Sequence, residues 1–107
     1  MSTIFKKEAL EKTVIITKGI SAEAQSHAKE YPDATIIFAD SAPVPAVLVN
    51  MGKYIQLPDP SSASFIHILL KYCLDYNADI LVLLSSQEWE VVSPQKQLFE
   101  EYNIQLI

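Results

Sequence analysis

The polar side chains best suited to chemistry follow an apolar run near the end of the chain. Residues 81–84 are apolar, and residues 85–90 then read SSQEWE. A buried strand that ends in such a cluster could present it to a ligand. Glu88 and Glu90 would share a face only on a strand, so a pair of catalytic carboxylates is not implied. We assign no catalytic residue, and the candidate substrate-binding residues of this stretch are Ser85, Ser86 and Glu88.

A second candidate lies at residues 18–21, which read KGIS after a β-branched run. A helix that starts there would offer free N–H groups to an anion. A dinucleotide site needs three glycines, however, and this turn has only Gly19. A plain turn with Ser21 as the helix N-cap is therefore favoured, and Gly19 remains a candidate substrate-binding residue.

Asp40 ends the second predicted strand. In nucleotide-binding folds an acid at this place accepts hydrogen bonds from ribose hydroxyls. An acid at the end of a strand also caps the turn that follows it. Without the glycine fingerprint the capping role is favoured, and Asp40 and Ser21 rank only as weak candidates for nucleotide binding.

The remaining reactive side chains predict no further site. His27 and His67 are far apart and have no second ligand at metal spacing, so no metal site is predicted. Cys73 lies in an apolar helical pattern, which favours a small buried hydrophobe over a reactive thiol. Trp89 is assigned to core packing and Glu90 to solvent.

Composition limits the classes of partner. The 107 residues suit one domain, half of them are hydrophobic, and the net charge is −5 without a basic stripe, so nucleic acid and anionic membrane are excluded. No apolar run approaches the roughly 20 residues that cross a bilayer. A single cysteine fits a reducing compartment, and the expected location is cytoplasmic.

Short apolar runs alternate with segments of helical periodicity, a pattern typical of βαβ units and a parallel sheet. We predict an α/β, Rossmann-like, three-layer fold with a parallel sheet of four to five strands and helices on both faces. A lead-in of residues 1–12 precedes this domain of residues 13–107. The strands are predicted at residues 13–17, 34–40, 54–57, 79–84 and 104–107.

Helices are predicted at residues 22–31, from Ser61 or Ser62 to near Asn77, and from Ser93 until Asn103 stops the last one. Residues 41–50 contain two prolines, so they form either an edge strand or a short helix packed under the sheet.

Several stretches share the pattern of one known module. Residues 14–19 (VIITKG) fit its first strand and glycine turn. Residues 38–46 fit its second strand and the segment after it, and residues 54–58 (YIQLP) fit its third strand. Residues 79–84 (DILVLL), followed by Glu88, give the best match. The chain thus resembles, over about residues 13–107, the pre-ATP-grasp domain of ATP-grasp ligases, especially those similar to the large subunit of carbamoyl-phosphate synthase.

The resemblance implies a function on the substrate side of a ligase. An acid that matches Glu88 contacts substrate in some members of the family. ATP and magnesium are held mainly by two later domains, which would follow Ile107 or lie on a partner chain. With Gly19 and Gly52 as its only glycines, this chain has no glycine-rich phosphate loop, so we expect no cofactor on this domain alone. Ser85–Gln87 also replace an acid that relatives often carry there.

Two functions from different classes are therefore open. The first is the N-terminal, substrate-side module of an ATP-grasp ligase, inactive by itself. The second is a stand-alone doubly wound interaction module without enzymatic activity, for which a homodimer through an exposed sheet edge is one arrangement.

Overall fold

A computed structural model describes residues 12–107 of the chain. Apart from Lys12, the predicted lead-in lies outside the described residues. The β-branched and apolar runs form five strands, all parallel, in the spatial order β3-β2-β1-β4-β5. The strands are β1 (Thr13–Ile16), β2 (Thr35–Asp40), β3 (Tyr54–Gln56), β4 (Ile80–Val82) and β5 (Gln105–Leu106).

The order of the strands reverses at β1. The chain runs from β1 outward to β2 and β3, and then crosses back so that β4 pairs with the other side of β1. In register, Ile16 lies beside Phe38 of β2 and Val82 of β4. The carboxyl ends of β1 and β4 therefore form the switch point at which parallel sheets bind ligands.

Helices cover both faces of the sheet, so the predicted three-layer Rossmann-like α/β fold is confirmed. The side chains of β1 alternate: Ile15 joins the apolar layer beneath α3 and α5, whereas Val14 and Ile16 join the layer beneath α1. The helices are α1 (Ala22–Ala28), α2 (Ala46–Asn50), α3 (Phe65–Asp75), α4 (Ser86–Val92) and α5 (Lys96–Glu101).

The predicted start of the helix after β4 is wrong. We expected it at Ser93, but α4 begins at Ser86, and Ser93–Gln95 form only a 3₁₀ turn between α4 and α5. The cause is a capping box, in which Ser85 and Glu88 satisfy each other's backbone N–H groups.

Two further local predictions are settled by the structure. Residues 41–50, for which two conformations were open, contain the helix α2, but Val47 is 67% exposed rather than packed under the sheet. The helix α3 begins at Phe65, so the predicted cap by Ser61 or Ser62 is wrong; Ser61 donates instead to Asp59. Among residues 12–107, no helix has the length and apolar character that a membrane span requires.

Gly19 allows the turn after β1 to lie directly against β2. Its N–H donates to the Ala39 carbonyl oxygen at 2.9 Å. A Cβ at this position would lie 2.5 Å from the Phe38 Cβ and 2.9 Å from the Ala39 nitrogen, which real side chains do not tolerate. Gly52 differs, because its φ is +79° and no atom lies within 4 Å of the corresponding position.

Substitution by alanine should therefore lower the free energy of unfolding by different amounts at the two glycines. Gly19→Ala should lower the free energy of unfolding by about 3 kcal/mol, because the turn has to separate from β2. Gly52→Ala should cost only about 1 kcal/mol, the penalty for a Cβ at positive φ. Urea unfolding measures both values, and equal losses would contradict the close approach at Gly19.

Candidate functional site

A cleft lies at the carboxyl edge of the sheet, where the turns after β1, β2, β3 and β4 meet. Its volume is about 270 Å³, slightly below the roughly 300 Å³ at which pockets for drug-sized ligands begin. The cleft therefore suits a small ligand. Its lining residues are Lys18, Asp40, Ser41, Ala42, Asp59, Pro60, Ser85, Gln87 and Glu88.

Glu88 is the most deeply buried acid of the cleft, with 2% of its surface exposed. The hydroxyl of Thr17, itself wholly buried at the end of β1, donates to Glu88 Oε1. The Ser85 N–H donates to the same oxygen at 3.3 Å. Thr17 Oγ1 in turn accepts the Leu84 N–H at 2.9 Å. This network joins the ends of β1 and β4 across the switch point.

The second carboxyl oxygen of Glu88 is available to a ligand. Oε1 accepts both hydrogen bonds, and Oε2 accepts none from residues 12–107. Glu88 also lines the cleft. The side chain thus fixes α4 through one oxygen and can accept a hydrogen bond or an ion pair through the other.

The two candidate serines differ in their surroundings. Ser85 is the N-cap of α4, and its Oγ accepts the Glu88 N–H at 3.1 Å, so its hydroxyl oxygen already has a structural partner. Ser86 is exposed at the first position of the helix and does not line the cleft. Of the candidate substrate-binding residues, the structure brings Ser85 and Glu88 together.

Gly19 and the weak nucleotide candidates serve the turns around the cleft. Gly19 is buried against β2 and does not line the cleft. The two oxygens of Asp40 accept the Ile20 and Ala42 N–H groups at 3.1 and 2.9 Å, the capping role that was favoured for it. Ser21 accepts the Ala24 N–H as N-cap of α1.

Two charged residues of the cleft, Lys18 and Asp59, were missed as site residues by the sequence analysis. Lys18 is exposed, with φ of 54°, in the turn after β1. Hydrogen bonds from the Ser61 side chain and backbone lower the pKa of Asp59, so this carboxylate is charged at neutral pH. The available signal was positional, since both follow the carboxyl ends of predicted parallel strands.

The cleft is acidic overall. Three carboxyl groups, those of Asp40, Asp59 and Glu88, line it together with one cation, Lys18. Within the described range, no three His, Cys, Asp or Glu side chains are grouped closely enough to hold a metal ion. This balance favours a ligand with a positively charged amine over a phosphate.

The residues assigned to packing and solvent lie as predicted. Trp89 is half-buried against the core, and Glu90 is exposed. Cys73 is 1% exposed, and burial raises the pKa of its thiol to about 12. A neutral, enclosed thiol cannot act as a nucleophile.

Comparison of the chain with protein-family models and with curated protein sequences gives no match.

The Thr17 hydroxyl should contribute strongly to stability. In Thr17→Val the side chain keeps its shape, but Leu84 N–H loses its acceptor and Glu88 Oε1 loses a donor, at a cost of about 2–3 kcal/mol. Thr17→Ser keeps the hydroxyl and should lose about 1 kcal/mol for the methyl group. Chemical unfolding of both variants separates the two effects, and a Val variant as stable as the Ser variant would contradict the network.

The Cys73 thiol should be protected in the folded chain. At pH 8 an unfolded thiol with an ordinary pKa is partly ionised, whereas the buried thiol stays neutral. Reaction with a disulfide reagent should therefore be slow in buffer and fast in denaturant, as followed by absorbance. Equally fast reaction in both would show that the α3 side of the core is open.

Proposed function

We propose that this chain is the N-terminal, substrate-side module of an ATP-grasp ligase and that its cleft holds an amine-bearing acceptor. The observation that carries the proposal is Glu88, which resembles a substrate-contacting acid of that family and leaves Oε2 without a partner among residues 12–107 at the switch point. A cytoplasmic location belongs to the same proposal, and the buried thiol of Cys73 agrees with a reducing compartment.

The charges of the cleft support a small zwitterionic acceptor such as a free amino acid. Glu88 Oε2 and the exposed Asp59 carboxylate are placed to attract an ammonium group. Lys18, on the first turn, can attract the carboxylate of the same ligand. A volume of about 270 Å³ accommodates a molecule of this size.

The ATP site is proposed to lie elsewhere. The turn after β1 has a single glycine, and Gly19 is occupied by its contact with β2. Both helices that start beside the cleft, α1 and α4, have only seven residues, and one N–H group in the first turn of each, that of Ala24 or Glu88, already donates to Ser21 or Ser85. ATP and magnesium would be held by further domains in cis or on a partner chain.

The position of β5 is consistent with this arrangement. β5 runs parallel to β4, and Ile107 exchanges backbone hydrogen bonds with Leu81 and Leu83. A segment that continued from Ile107 would therefore start at the carboxyl edge of the sheet, which is also where the cleft lies.

Calorimetry of the chain with free amino acids tests the proposal. Binding should be detected for amino acids, lost for their N-acetylated forms, and absent below millimolar concentrations for ATP with magnesium. Glu88→Gln should weaken binding about tenfold, because the amide still accepts from Thr17 and Ser85 but carries no charge.

Glu90→Gln is the matched control for this variant. It removes the same charge from the exposed side of the same helix, so the affinity should stay within about twofold. ATP binding tighter than millimolar, or equal effects of the two substitutions, would contradict the proposed site.

A stand-alone interaction module is the second candidate, and one observation favours it. The helix α2 consists almost entirely of apolar residues, yet none of them is buried. Binding of an amino acid distinguishes the two functions, because an interaction module does not require it.

A further inference from the structure

An uncharged segment forms one edge of the molecule. Charged residues make up 20% of the chain, yet none falls in residues 41–52, which read SAPVPAVLVNMG between Asp40 and Lys53. The segment holds three of the strongly exposed apolar side chains of the described chain: Val47 at 67%, Met51 at 61% and Val49 at 42%. A valine loses side-chain (χ1) freedom in a helix, and burial normally offsets that loss. Val47 and Val49 lose this freedom without being buried.

The start of the segment is anchored by hydrogen bonds to β3 and to the residues that follow it. The Gln56 amide of the edge strand β3 donates to the carbonyl oxygens of Asp40 and Ala42 at 3.0 and 3.1 Å, and its oxygen accepts the Val44 N–H at 2.7 Å. Ser41 Oγ donates to the Pro58 carbonyl oxygen at 2.8 Å. Because these residues are already anchored, their ordering adds little to the entropic cost of binding.

Opposite charges flank the two ends of the uncharged segment. Its start is tied to Pro58, so the exposed carboxylate of Asp59 lies beside this end. Lys53 follows the other end, is exposed, and makes no ion pair with residues 12–107. A twofold axis across α2 would bring the Lys53 end of one copy to the Asp59 end of the other.

We propose that residues 41–53 form the contact of a homodimer, with a second copy of this chain as the occupant. A twofold contact sets the same patch of both copies face to face. With a net charge of −5, most such contacts would set like charges together. In the proposed dimer the uncharged segment avoids that repulsion and buries Val47, Val49 and Met51. The Lys53 end of each copy then faces the Asp59 end of the other.

Sedimentation equilibrium of the whole chain tests the contact. The mass should rise with concentration toward twice the 12.0 kDa of one chain. The double variant Val47→Glu, Met51→Glu should raise the dissociation constant at least about 100-fold, because each copy would then set new charges against its partner. Both side chains are more than 60% exposed, so the fold should be kept, as circular dichroism would show.

Leu74→Glu is the matched control. This leucine is 42% exposed and lies on α3, outside residues 41–53. Its substitution should change the dissociation constant less than about twofold. If the double glutamate variant does not fold, Val47→Ser with Met51→Ser takes its place, with a smaller expected loss. A wild-type chain that stays monomeric up to about 1 mM, or a Leu74 variant that dissociates as readily as the double variant, would overturn the proposal.

Discussion

The hydrogen bond from Thr17 to Glu88 joins the two halves of the sheet at the point where the strand order reverses. Thr17 directly follows β1, and Glu88 lies in the first turn of α4, 71 positions later in the chain. Both groups are buried, so neither can exchange its partner for water without a large cost. The same bond ties the first turn of α4 to the end of β1 and leaves Glu88 Oε2 without a partner among residues 12–107. Stability and the proposed ligand binding would thus depend on one contact.

Strands and helix ends that follow a regular residue pattern could be predicted from the sequence. β1, β2 and β4 are apolar on both faces because helices cover both, and such runs stand out between turn residues. Asn103, with φ of 61°, ends α5 as expected. The start of α4 was missed although its signal was present, since serine and glutamate three positions apart form a capping box at residues 85 and 88. The later Ser93-Pro94 pair imitates a helix start, and it marks only a 3₁₀ turn.

The geometry of the cleft could not be predicted in the same way. Glu88 was a candidate from its position, but the role of Thr17 follows from a partner far away in sequence, and a threonine at the end of a strand has no distinctive pattern. Asp59 reaches the cleft because Ser41 binds Pro58 across the edge of the sheet. The Gln56 side chain bonds the backbone of residues 40–44, in place of the strand pairing that two prolines prevent.

The central claim is that the free oxygen of Glu88 receives the amine of a ligand. The carboxyl carbon resonance of Glu88, followed by NMR during titration with a free amino acid, tests it most directly. We expect a saturable shift for Glu88, no shift for Glu90, and no response of either residue to the N-acetylated amino acid. A Glu88 resonance that stays fixed at saturating amino acid, while resonances elsewhere move, would rule out Glu88 as the group that receives the amine.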